Sequence, residues 1–473
     1  MGTIKFGTDG WRAIIAEDFT FHNVRACAQG IAGYLKEAGI ADKGLVIGYD
    51  TRFASEDFAA AAAEVLAGNG IKVLLCLKAA PTPVISYSVT ATKSAGAIII
   101  TASHNPGRWN GLKYKEGTGS SASSELAATI EGNTNAILES GSIKKISLAS
   151  GIDKKLIMYY DPIPDYIAQI KRLIDIEPIR QQQMKIIFDS MYGAGIGYFK
   201  LLLGFSRLSI TEINDGRNPF FPEIQPEPIA KNLIKLSRLV KEQKADVGIA
   251  NDGDADRIGI IDEEGNFLNT HQVFALLALY FLEVKKERGP IVKSLCSTDM
   301  LDLLGKLYNV PVYETRVGFK YVAPVMIEKN AFIGGEESGG YGFRGHVPER
   351  DGILAGLYFL DFMIKTGKTP SQLLQLLFSK VGPHYYDRYD LHISAEQHKA
   401  LSKKIKESNI DSVAGIKVAR INKADGFKYV LTDSSWLLIR FSGTEPLIRI
   451  YAEASNNEQV KKLIESGKEM LGV

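Results

Sequence analysis

One pattern of strands and helices occurs three times along the chain, and this repeat restricts the possible folds more than any other feature. Each unit is predicted to contain a buried strand, a helix, a second strand, another helix and a third strand. The first two strands of the units are predicted at 45–50 and 71–77, 185–190 and 206–213, and 289–295 and 311–316. The third strands are predicted at 96–102, 245–251 and 331–335. The two helices of the second unit are predicted at 193–204 and 229–243. Strands that alternate with helices form parallel α/β units with right-handed crossovers, so the sequence predicts three topologically similar α/β domains.

After about residue 375 the pattern changes, which indicates a further domain of a different class. Short alternating strands are predicted at 416–421, 426–432, 435–441 and 447–453, between helices at 395–407 and 456–470. This arrangement is typical of a small α+β domain. A chain of 473 residues is also too long for one hydrophobic core. We therefore place four domains at 1–150, 151–260, 261–375 and 376–473.

The segments on either side of the first boundary have a less regular pattern. Residues 116–150 are rich in serine, glycine and alanine and are predicted to be an insertion with one polar helix at 123–139. A helix predicted at 155–176 is expected to lead into the second domain.

Each of the three third strands runs directly into a polar loop. The loops are T-A-S-H-N-P at 101–106, D-G-D-A-D-R at 252–257 and G-E-E-S-G-G at 335–340. Because ligands of such folds bind beyond the carboxyl ends of the strands, these loops are the strongest candidates for a functional site. Their shared position in the repeat is stronger evidence than any one motif.

The first loop offers a hydroxyl nucleophile. Ser103 follows a buried strand, where its hydroxyl can be held facing a cleft, and His104 and Asn105 can orient it. Read alone, the segment is also compatible with an ordinary Asn-Pro turn whose serine binds backbone. The absence of a Gly-x-Ser-x-Gly motif disfavours an acyl-transfer hydrolase.

The second loop offers a metal site. Asp252, Asp254 and Asp256 alternate, so their carboxylates converge when the loop curls, and anionic oxygen ligands suit Mg²⁺. A calcium loop is disfavoured because Arg257 stands at the sixth position, where an EF-hand needs glycine. A solvated acidic turn is the other alternative.

Two further loops suit a sugar and a phosphate. In the third loop, carboxylates and a hydroxyl flanked by glycines can bind vicinal sugar hydroxyls, although a plain glycine-rich turn is the alternative. The segment R-F-S-G-T-E-P-L-I-R at 440–449 combines two arginine forks with hydroxyls and a flexible backbone, which suits phosphate oxygens. An exposed turn with incidental arginines is the alternative there.

Phosphoryl transfer needs little beyond positioning and charge neutralisation, so the four loops form a coherent set. Arg12, Lys113 and Arg257 can supply positive charge near the first loop. Lys113 is also a candidate general acid/base if its pKa is lowered.

Composition and charge limit the class of partner. Apolar residues make up 45% and charged residues 23% of the chain, as in ordinary globular proteins. The net charge of +2 argues against a large nucleic-acid footprint. Three scattered cysteines, Cys27, Cys76 and Cys296, indicate reduced thiols in a cytosolic compartment. No apolar run approaches the roughly 18 residues of a membrane span. We expect a cytoplasmic, soluble monomer or dimer without nucleic-acid or membrane partners.

The motifs closely resemble those of the α-D-phosphohexomutase family, the phosphoglucomutases and phosphomannomutases. The matching segments occur in the family's order and cover essentially the whole chain: FGTDGWR (6–12), TASHNP (101–106), DGDADR (252–257), GEESGG (335–340) and RFSGTEPLIR (440–449).

The resemblance implies four domains around a central active-site cleft, of which the fourth is mobile. It also implies that Ser103 is carried as phosphoserine, and that its phosphate binds Mg²⁺ together with Asp252, Asp254 and Asp256. The phosphoserine passes its phosphoryl group to a hexose 1- or 6-phosphate. The bisphosphorylated sugar then turns around and returns its other phosphate, with glucose 1,6-bisphosphate as activator.

The resemblance assigns the remaining substrate contacts as well. Glu336 and Ser338 match the residues that bind sugar hydroxyls, and Gly318 and Lys320 align with the loop that senses substrate orientation. The clamp for the non-reacting phosphate corresponds to Arg440, Ser442, Gly443, Thr444 and Arg449. Many bacterial members have histidine where this chain has Gly340, which puts that histidine's role in doubt, and His346 is a hypothetical substitute.

The sugar itself stays open at this point. Glucose phosphates are the expected substrate, with phosphomannomutase and phosphoglucosamine mutase as alternatives, because only contacts at C2 distinguish them. A phosphatase is disfavoured because a closed cleft excludes water. A non-catalytic sugar-phosphate-binding protein is disfavoured because three clustered carboxylates are costly without a metal.

Overall fold

The computed structural model describes residues 3–222, 224–408, 410–441 and 447–472. The first unit is a six-stranded sheet of order β1-β5-β4-β2-β3-β6, covered by helices. The central strands β2 and β4 are buried at all five positions because parallel strands here carry helices on both faces. Its elements are β1 (Trp11–Ile14), α1 (Phe21–Glu37), a 3₁₀ turn (Ala41–Lys43), β2 (Leu45–Tyr49), α2 (Ser55–Gly68), β3 (Val73–Cys76), α3 (Thr82–Thr92), β4 (Gly96–Ile100), β5 (Trp109–Glu116), α4 (Ser124–Ser140), α5 (Leu148–Asp153) and β6 (Ile157–Tyr160).

The second unit contains a five-stranded sheet of order β11-β10-β9-β7-β8. Its elements are α6 (Ile163–Leu173), α7 (Glu177–Arg180), β7 (Lys185–Asp189), α8 (Tyr198–Leu203), β8 (Ser209–Ile213), a 3₁₀ turn (Ala230–Asn232), α9 (Ile234–Gln243), β9 (Val247–Asn251), β10 (Ile258–Ile261) and β11 (Phe267–Leu268).

The third unit contains a four-stranded sheet of order β13-β12-β14-β15. Helices α10 and α13 pack against each other and are buried along almost their whole length. The elements are α10 (Thr270–Glu283), β12 (Ile291–Ser294), α11 (Met300–Tyr308), β13 (Val312–Thr315), α12 (Phe319–Lys329), β14 (Ile333–Gly335), β15 (Tyr341–Phe343), α13 (Gly352–Thr366) and α14 (Pro370–Val381).

The three units share one topology, as the sequence predicted. In each, the first parallel strand lies between the second and the third, and an antiparallel fourth strand pairs with the third. These fourth strands are β5, β10 and β15, of which only β10 is evident in the sequence pattern. Each polar loop therefore connects a buried parallel strand to an antiparallel neighbour, which holds the loop at both ends.

The fourth unit is α+β, also as predicted. An antiparallel six-stranded sheet of order β16-β21-β20-β19-β18-β17 packs against α16, and α15 packs against α16 in turn. A separate hydrophobic core fills the space between sheet and helices. The elements are β16 (Tyr385–His392), α15 (Ala395–Glu407), β17 (Ser412–Val413), β18 (Ile416–Asn422), β19 (Phe427–Leu431), β20 (Trp436–Phe441), β21 (Leu447–Ala454) and α16 (Asn457–Leu471).

The segments around the first boundary differ from the prediction. Helix α4 is not an insertion, because it packs along α1 and buries Leu126 and Ile130. The helix predicted at 155–176 begins instead with strand β6, which pairs in parallel with β3 and extends the first sheet beyond residue 150. Apolar residues 156–160 suit either structure, and only the free edge of β3 decides between them.

Two further helices are shorter than predicted. The helix predicted at 193–204 is confined to α8, because Gly193, Gly195 and Gly197 form turns before it. A side chain at Gly193 would lie 2.8 Å from the carbonyl oxygens of Asp252 and Gly253, so this turn supports the acidic loop. The helix predicted from 229 begins at Ile234, after a 3₁₀ turn. Among the described residues, no helix is both long and apolar enough to cross a membrane.

Candidate active site

The loop at 101–106, here called the serine loop, and the loop at 252–257, the acidic loop, are packed directly against each other. A side chain at Gly253 would lie 2.4 Å from the carbonyl oxygen of Ser103, so only glycine permits this approach. Thr82 joins the contact by donating from its hydroxyl to Asp254 Oδ2 at 2.6 Å. The ends of two repeat units therefore form one site.

Ser103 is held in a conformation that aims its hydroxyl at the acidic loop. Its φ of 52° lies in the left-handed region, which is uncommon for a residue with a side chain and is frequent at functional sites. The residue is 1% exposed, and Oγ donates to Asp252 Oδ2 at 3.0 Å. Its backbone N–H donates to Thr101 Oγ1 at 2.8 Å. The surroundings thus fix the hydroxyl at the carboxylates.

A buried arginine that sequence reasoning missed holds this loop in place. Arg52 is fully buried, and its Nε lies 3.0 Å from Asp50 Oδ2. The sequence feature that could have revealed this arginine is the polar run Asp50-Thr51-Arg52 at the end of the unit's first strand. The remaining guanidinium nitrogens donate to three carbonyl oxygens of the serine loop, those of Ser103 at 2.6 Å, Asn105 at 2.7 Å and Pro106 at 2.9 Å, and to that of Trp109 at the start of β5 at 3.0 Å.

His104 and Arg12 lie close to Ser103 and its loop. His104 Nδ1 is 3.4 Å from Ser103 Oγ. Burial lowers the pKa of His104 well below its usual value, and the charges of Arg257 and Arg12 lower it further. The imidazole is therefore neutral at physiological pH. Arg12 donates to Asn105 Oδ1 at 2.8 Å, which places its positive charge at the same loop.

The three aspartates form a fitting site for a small divalent cation. Asp252, Asp254 and Asp256 are fully buried, and one carboxylate oxygen from each lies within 4.8 Å of the others. Within the described part of the chain, the Oδ1 atoms of Asp254 and Asp256 are buried and have no hydrogen-bond partner. Buried carboxylate oxygens without partners are costly unless a cation or donor reaches them. Oxygen-only anionic ligands match the preference of Mg²⁺.

The pKa values of Asp252 and Asp254 shift in opposite directions because the neighbours of the two carboxyl groups differ. Burial raises the pKa of Asp252 well above its usual range, and repulsion from Asp256 and Asp254 adds to this. Burial acts in the same direction on Asp254, but Lys113 and the Thr82 hydroxyl outweigh it and lower the pKa. Asp252 is thus the carboxylate that most readily holds a proton while the cation is absent.

This raised pKa predicts a pH dependence for the stabilisation by Mg²⁺. With its pKa above the unfolded value of about 3.9, Asp252 binds more protons in the folded state. The metal-free protein therefore loses stability as pH rises through the raised pKa, while Mg²⁺ requires the ionised form. We expect the Mg²⁺-induced increase in Tm to grow as pH rises through that pKa. Thermal unfolding with Mg²⁺ or with a chelator across pH measures this, and a constant increment would contradict it.

Lys113 lies among the carboxylates but does not have the lowered pKa that the sequence hypothesis required. Its Nζ is 2.7 Å from Asp9 Oδ2, 2.8 Å from Asp254 Oδ2 and 3.4 Å from Asp256 Oδ2. Burial acts to lower the pKa of Lys113, but the three carboxylates outweigh it and raise the pKa above the usual value. The amine is therefore a cation here, which suits charge neutralisation, and its raised pKa makes it both unable to remove a proton and reluctant to give one up.

Arg350, which sequence reasoning also missed, links three repeat units. Its Nη2 lies 2.6 Å from Asp256 Oδ2 and 3.0 Å from Asp9 Oδ2, and its Nη1 lies 3.5 Å from Glu336 Oε2. Its Nε lies 3.3 Å from Glu349 Oε1. Asp9 lies within the motif FGTDGWR and could therefore be suspected from the sequence, whereas none of the motifs contains Arg350.

The same arginine explains why this chain has glycine at position 340. A side chain at Gly340 would lie 2.3 Å from Arg350 Cδ, so a histidine there would displace the arginine. His346 does not replace the missing histidine. Its side chain is fully buried, bonds Asp351 Oδ2 at 3.0 Å and stacks on Tyr87.

The loop at 335–340, here called the sugar loop, presents a carboxyl group at Glu336 and a hydroxyl group at Ser338. Glu336 is 7% exposed, and burial raises its pKa although Arg350 opposes this. Ser338 Oγ is buried and has no hydrogen-bond partner among the residues that the structure describes, which suits a hydroxyl that binds a ligand. Between them, Glu337 accepts from Tyr386 Oη at 2.6 Å and pairs with Arg388 at 3.2 Å, which fastens this loop to the fourth unit.

The two arginines of the proposed phosphate clamp stand side by side on neighbouring strands. Arg440 on β20 pairs directly with Arg449 on β21. Like charges in this position repel each other, which favours a site that binds an anion. The other clamp residues predicted from the sequence, Ser442, Gly443 and Thr444, lie outside the described residues.

The segment 316–320, here called the orientation loop after its predicted role, has an unusual backbone conformation. Gly318 has φ of 127°, a conformation that favours glycine, and immediately precedes α12. A side chain there would lie 3.8 Å from Thr8 Cβ of the FGTDGWR segment. Lys320 is half-buried over the ring of Tyr321.

Arg257 is 7% exposed, and its Nε lies 3.9 Å from carboxylate oxygens of Asp252 and Asp256.

Comparison with known proteins gives one consistent family. The chain matches the phosphoglucomutase/phosphomannomutase α/β/α domains I, II and III at residues 3–140, 164–265 and 269–381, and the C-terminal domain at 399–467. It is 32% identical over 467 residues to a phosphoglucomutase/phosphomannomutase of Thermococcus kodakarensis, covering 98% of both chains. It is 29% identical over 471 residues to a phosphoglucosamine/phosphogalactosamine mutase of Sulfurisphaera tokodaii, again covering 98% of both.

Structural comparison agrees. A crystal structure from Thermus thermophilus, provisionally named a phosphomannomutase, has a TM-score of 0.86 and 33% identity, and each chain covers 100% of the other. Three similar α/β domains with a fourth α+β domain define the α-D-phosphohexomutase class of protein. The chain belongs to the phosphoglucomutase/phosphomannomutase family, and it is an isomerase of the phosphohexomutase type.

Proposed function

We propose that the protein interconverts hexose 1-phosphate and hexose 6-phosphate, with Ser103 as the carrier of the phosphoryl group. The observation that carries this proposal is the hydroxyl of Ser103, buried and 3.0 Å from a carboxylate of the acidic triad. A hydroxyl at a cation site can carry a phosphoryl group whose charge the cation neutralises. Glucose phosphates are the proposed substrate, and glucose 1,6-bisphosphate is the proposed intermediate and activator.

The aspartates Asp252, Asp254 and Asp256 are proposed to hold Mg²⁺ together with the phosphate of Ser103. When bound, the cation supplies charge neutralisation for the phosphoryl group. The backbone of the serine loop cannot move freely, because Arg52 binds three of its carbonyl oxygens and that of Trp109 just after it. Arg12, Arg257 and Lys113 add positive charge around the same point.

The other loops are proposed to hold the sugar so that either phosphate can face Ser103. Glu336 and Ser338 bind sugar hydroxyls, and this role of Ser338 is supported by its buried Oγ, which no described residue hydrogen-bonds. Arg440 and Arg449, with Ser442, Gly443 and Thr444, bind the non-reacting phosphate. Gly318 and Lys320 contact the substrate as its orientation changes. The bisphosphorylated sugar turns in the cleft and returns its other phosphate to the serine.

The proposal is tested by incubating purified protein with glucose 1-phosphate, Mg²⁺ and a trace of glucose 1,6-bisphosphate. Formation of glucose 6-phosphate is expected, with little free phosphate. Release of free phosphate at the rate of turnover would indicate a phosphatase instead. Absence of isomerisation with glucose, mannose and glucosamine phosphates alike would contradict the proposal.

The choice of sugar is a separate question. Relatives with about the same identity are named for glucose or mannose phosphates and for glucosamine or galactosamine phosphates. These sugars share the C1 and C6 phosphates, so the metal and clamp loops do not distinguish them. Comparing kcat/KM across the four sugar phosphates ranks them, and a preference for glucosamine phosphate would replace glucose in the proposal.

A further inference from the structure

One carboxylate oxygen of Asp425 contacts both the orientation loop and the proposed phosphate clamp. Asp425 lies in the turn between β18 and β19 of the fourth unit. Its Oδ2 accepts from the backbone N–H of Val317 at 2.9 Å, next to Gly318 in the orientation loop. The same Oδ2 lies 3.2 Å from Nε of Arg440, the proposed clamp arginine. The phosphate clamp and the orientation loop therefore meet at a single atom.

The contact between Asp425 and Arg440 is an ion pair with poor hydrogen-bond geometry. The side chains are 21% and 11% exposed, so water screens the pair only partly. Nε of Arg440 is buried and makes no aligned hydrogen bond within the part of the chain that the structure describes. A phosphate oxygen can offer that N–H a better acceptor, and it would then compete with Asp425 for the guanidinium.

The turn that carries Asp425 is docked firmly on the third unit. Arg316 Nε donates to the carbonyl oxygen of Ala424 at 3.2 Å, and Asn422 Nδ2 donates to Glu314 Oε1 at 2.8 Å. Lys428 Nζ, which is buried, lies 3.3 Å from Glu314 Oε2. The backbone position of Asp425 is thus fixed relative to the orientation loop. A change in the contact between Arg440 and Asp425 Oδ2 therefore also affects the hydrogen bond from Val317 N–H.

We propose that Asp425 is a positioning residue that competes with substrate phosphate for Arg440 and so helps the clamp to release it. This rests on the proposed function, in which the bisphosphorylated sugar must leave the clamp and bind again in the opposite orientation. Without a competing carboxylate, the clamp holds every phosphate more tightly, in the ground state as well as in the transition state. Such uniform tightening lowers KM and slows a step that needs release.

The replacement Asp425→Asn tests this, because it keeps an oxygen acceptor for Val317 N–H and removes the negative charge. We expect inorganic phosphate, measured by calorimetry in the presence of a chelator, to bind about threefold to tenfold more tightly. With hexose phosphate, KM and kcat should both fall. Asp433→Asn is the matched control, because Asp433 lies in a turn of the same unit and contacts Ser435 and Gln459 instead. This control should leave the Kd of inorganic phosphate, KM and kcat unchanged.

Three further variants make the outcome decisive. Asp425→Glu keeps the charge and should retain the affinity of the unmodified protein, and Asp425→Ser provides a second neutral variant if the asparagine protein does not fold. Arg440→Ala should lose phosphate binding. If it does, while the neutral variants bind phosphate no more tightly than the unmodified protein, the inference about Asp425 is wrong and the clamp stands. If Arg440→Ala binds phosphate normally, the clamp and the inference both fail.

Discussion

Ser103→Ala is expected to lower kcat/KM for isomerisation by at least about a thousandfold. The substitution removes the only atom proposed to form a bond to the phosphoryl group. It leaves the loop intact, because Arg52 and Thr101 hold the backbone of Ser103 rather than its side chain. Tm should therefore change little, while turnover is lost.

The matched control for this experiment is Ser88→Ala. Ser88 is also a buried serine of the first unit, but its hydroxyl bonds the carbonyl oxygen of Val84 within α3. This variant should keep its activity. If Ser103→Ala retained most of its activity, the phosphoserine mechanism would be wrong, whatever the fate of the control.

Asp252→Asn is expected to have the second largest effect, a loss of turnover of at least about a hundredfold. The amide is nearly isosteric but is a poor ligand for Mg²⁺, so metal affinity measured by calorimetry should fall as well. Stability should move in the opposite direction. Burial, with Asp256 and Asp254, raises the pKa of Asp252, so the ionised carboxylate destabilises the metal-free fold at neutral pH. In chelator, Tm should be equal to or above that of the unmodified protein.

Asp262→Asn is the control for charge loss near the same loop. Asp262 is buried in the following hairpin and accepts from the backbone N–H of Glu264 and of Asn266. It has no part in the proposed metal site, so metal affinity should stay unchanged in this variant. A large fall of Tm in Asp252→Asn with normal metal affinity would contradict the assignment of Asp252 as a ligand.

Much of the fold could be predicted because its signals are local. Aliphatic runs such as 96–100 and 247–251 mark buried parallel strands, and each is followed at once by its polar loop. Repetition of that order three times made the shared topology evident. The edge strands were harder, because β6 and β15 are short and are defined by a neighbour far away in sequence.

The site was predictable to the extent that its chemistry is concentrated in motifs. Ser103 and the three aspartates come together as their positions in the repeat required. The residues that were missed act through long-range contacts: Arg350 reaches Asp9 across 341 positions, and Asp425 reaches Val317 across 108. The direction of the Lys113 pKa also depends on such contacts, since Asp9 and Asp254 approach it only in the fold.

The most direct measurement of the central claim is the mass of the peptide that contains Ser103 after incubation with glucose 1,6-bisphosphate and removal of the sugar. We predict that this peptide gains the mass of one phosphoryl group, located at Ser103 by fragmentation. We further predict that a radioactive phosphorus label on this group passes to the sugar when unlabelled glucose 1-phosphate is added. Ser103 itself should stay phosphorylated, because each turnover returns a phosphate to it. A protein that turns over glucose 1-phosphate while position 103 stays unmodified, or while the phosphoryl group sits on another residue, would contradict the claim.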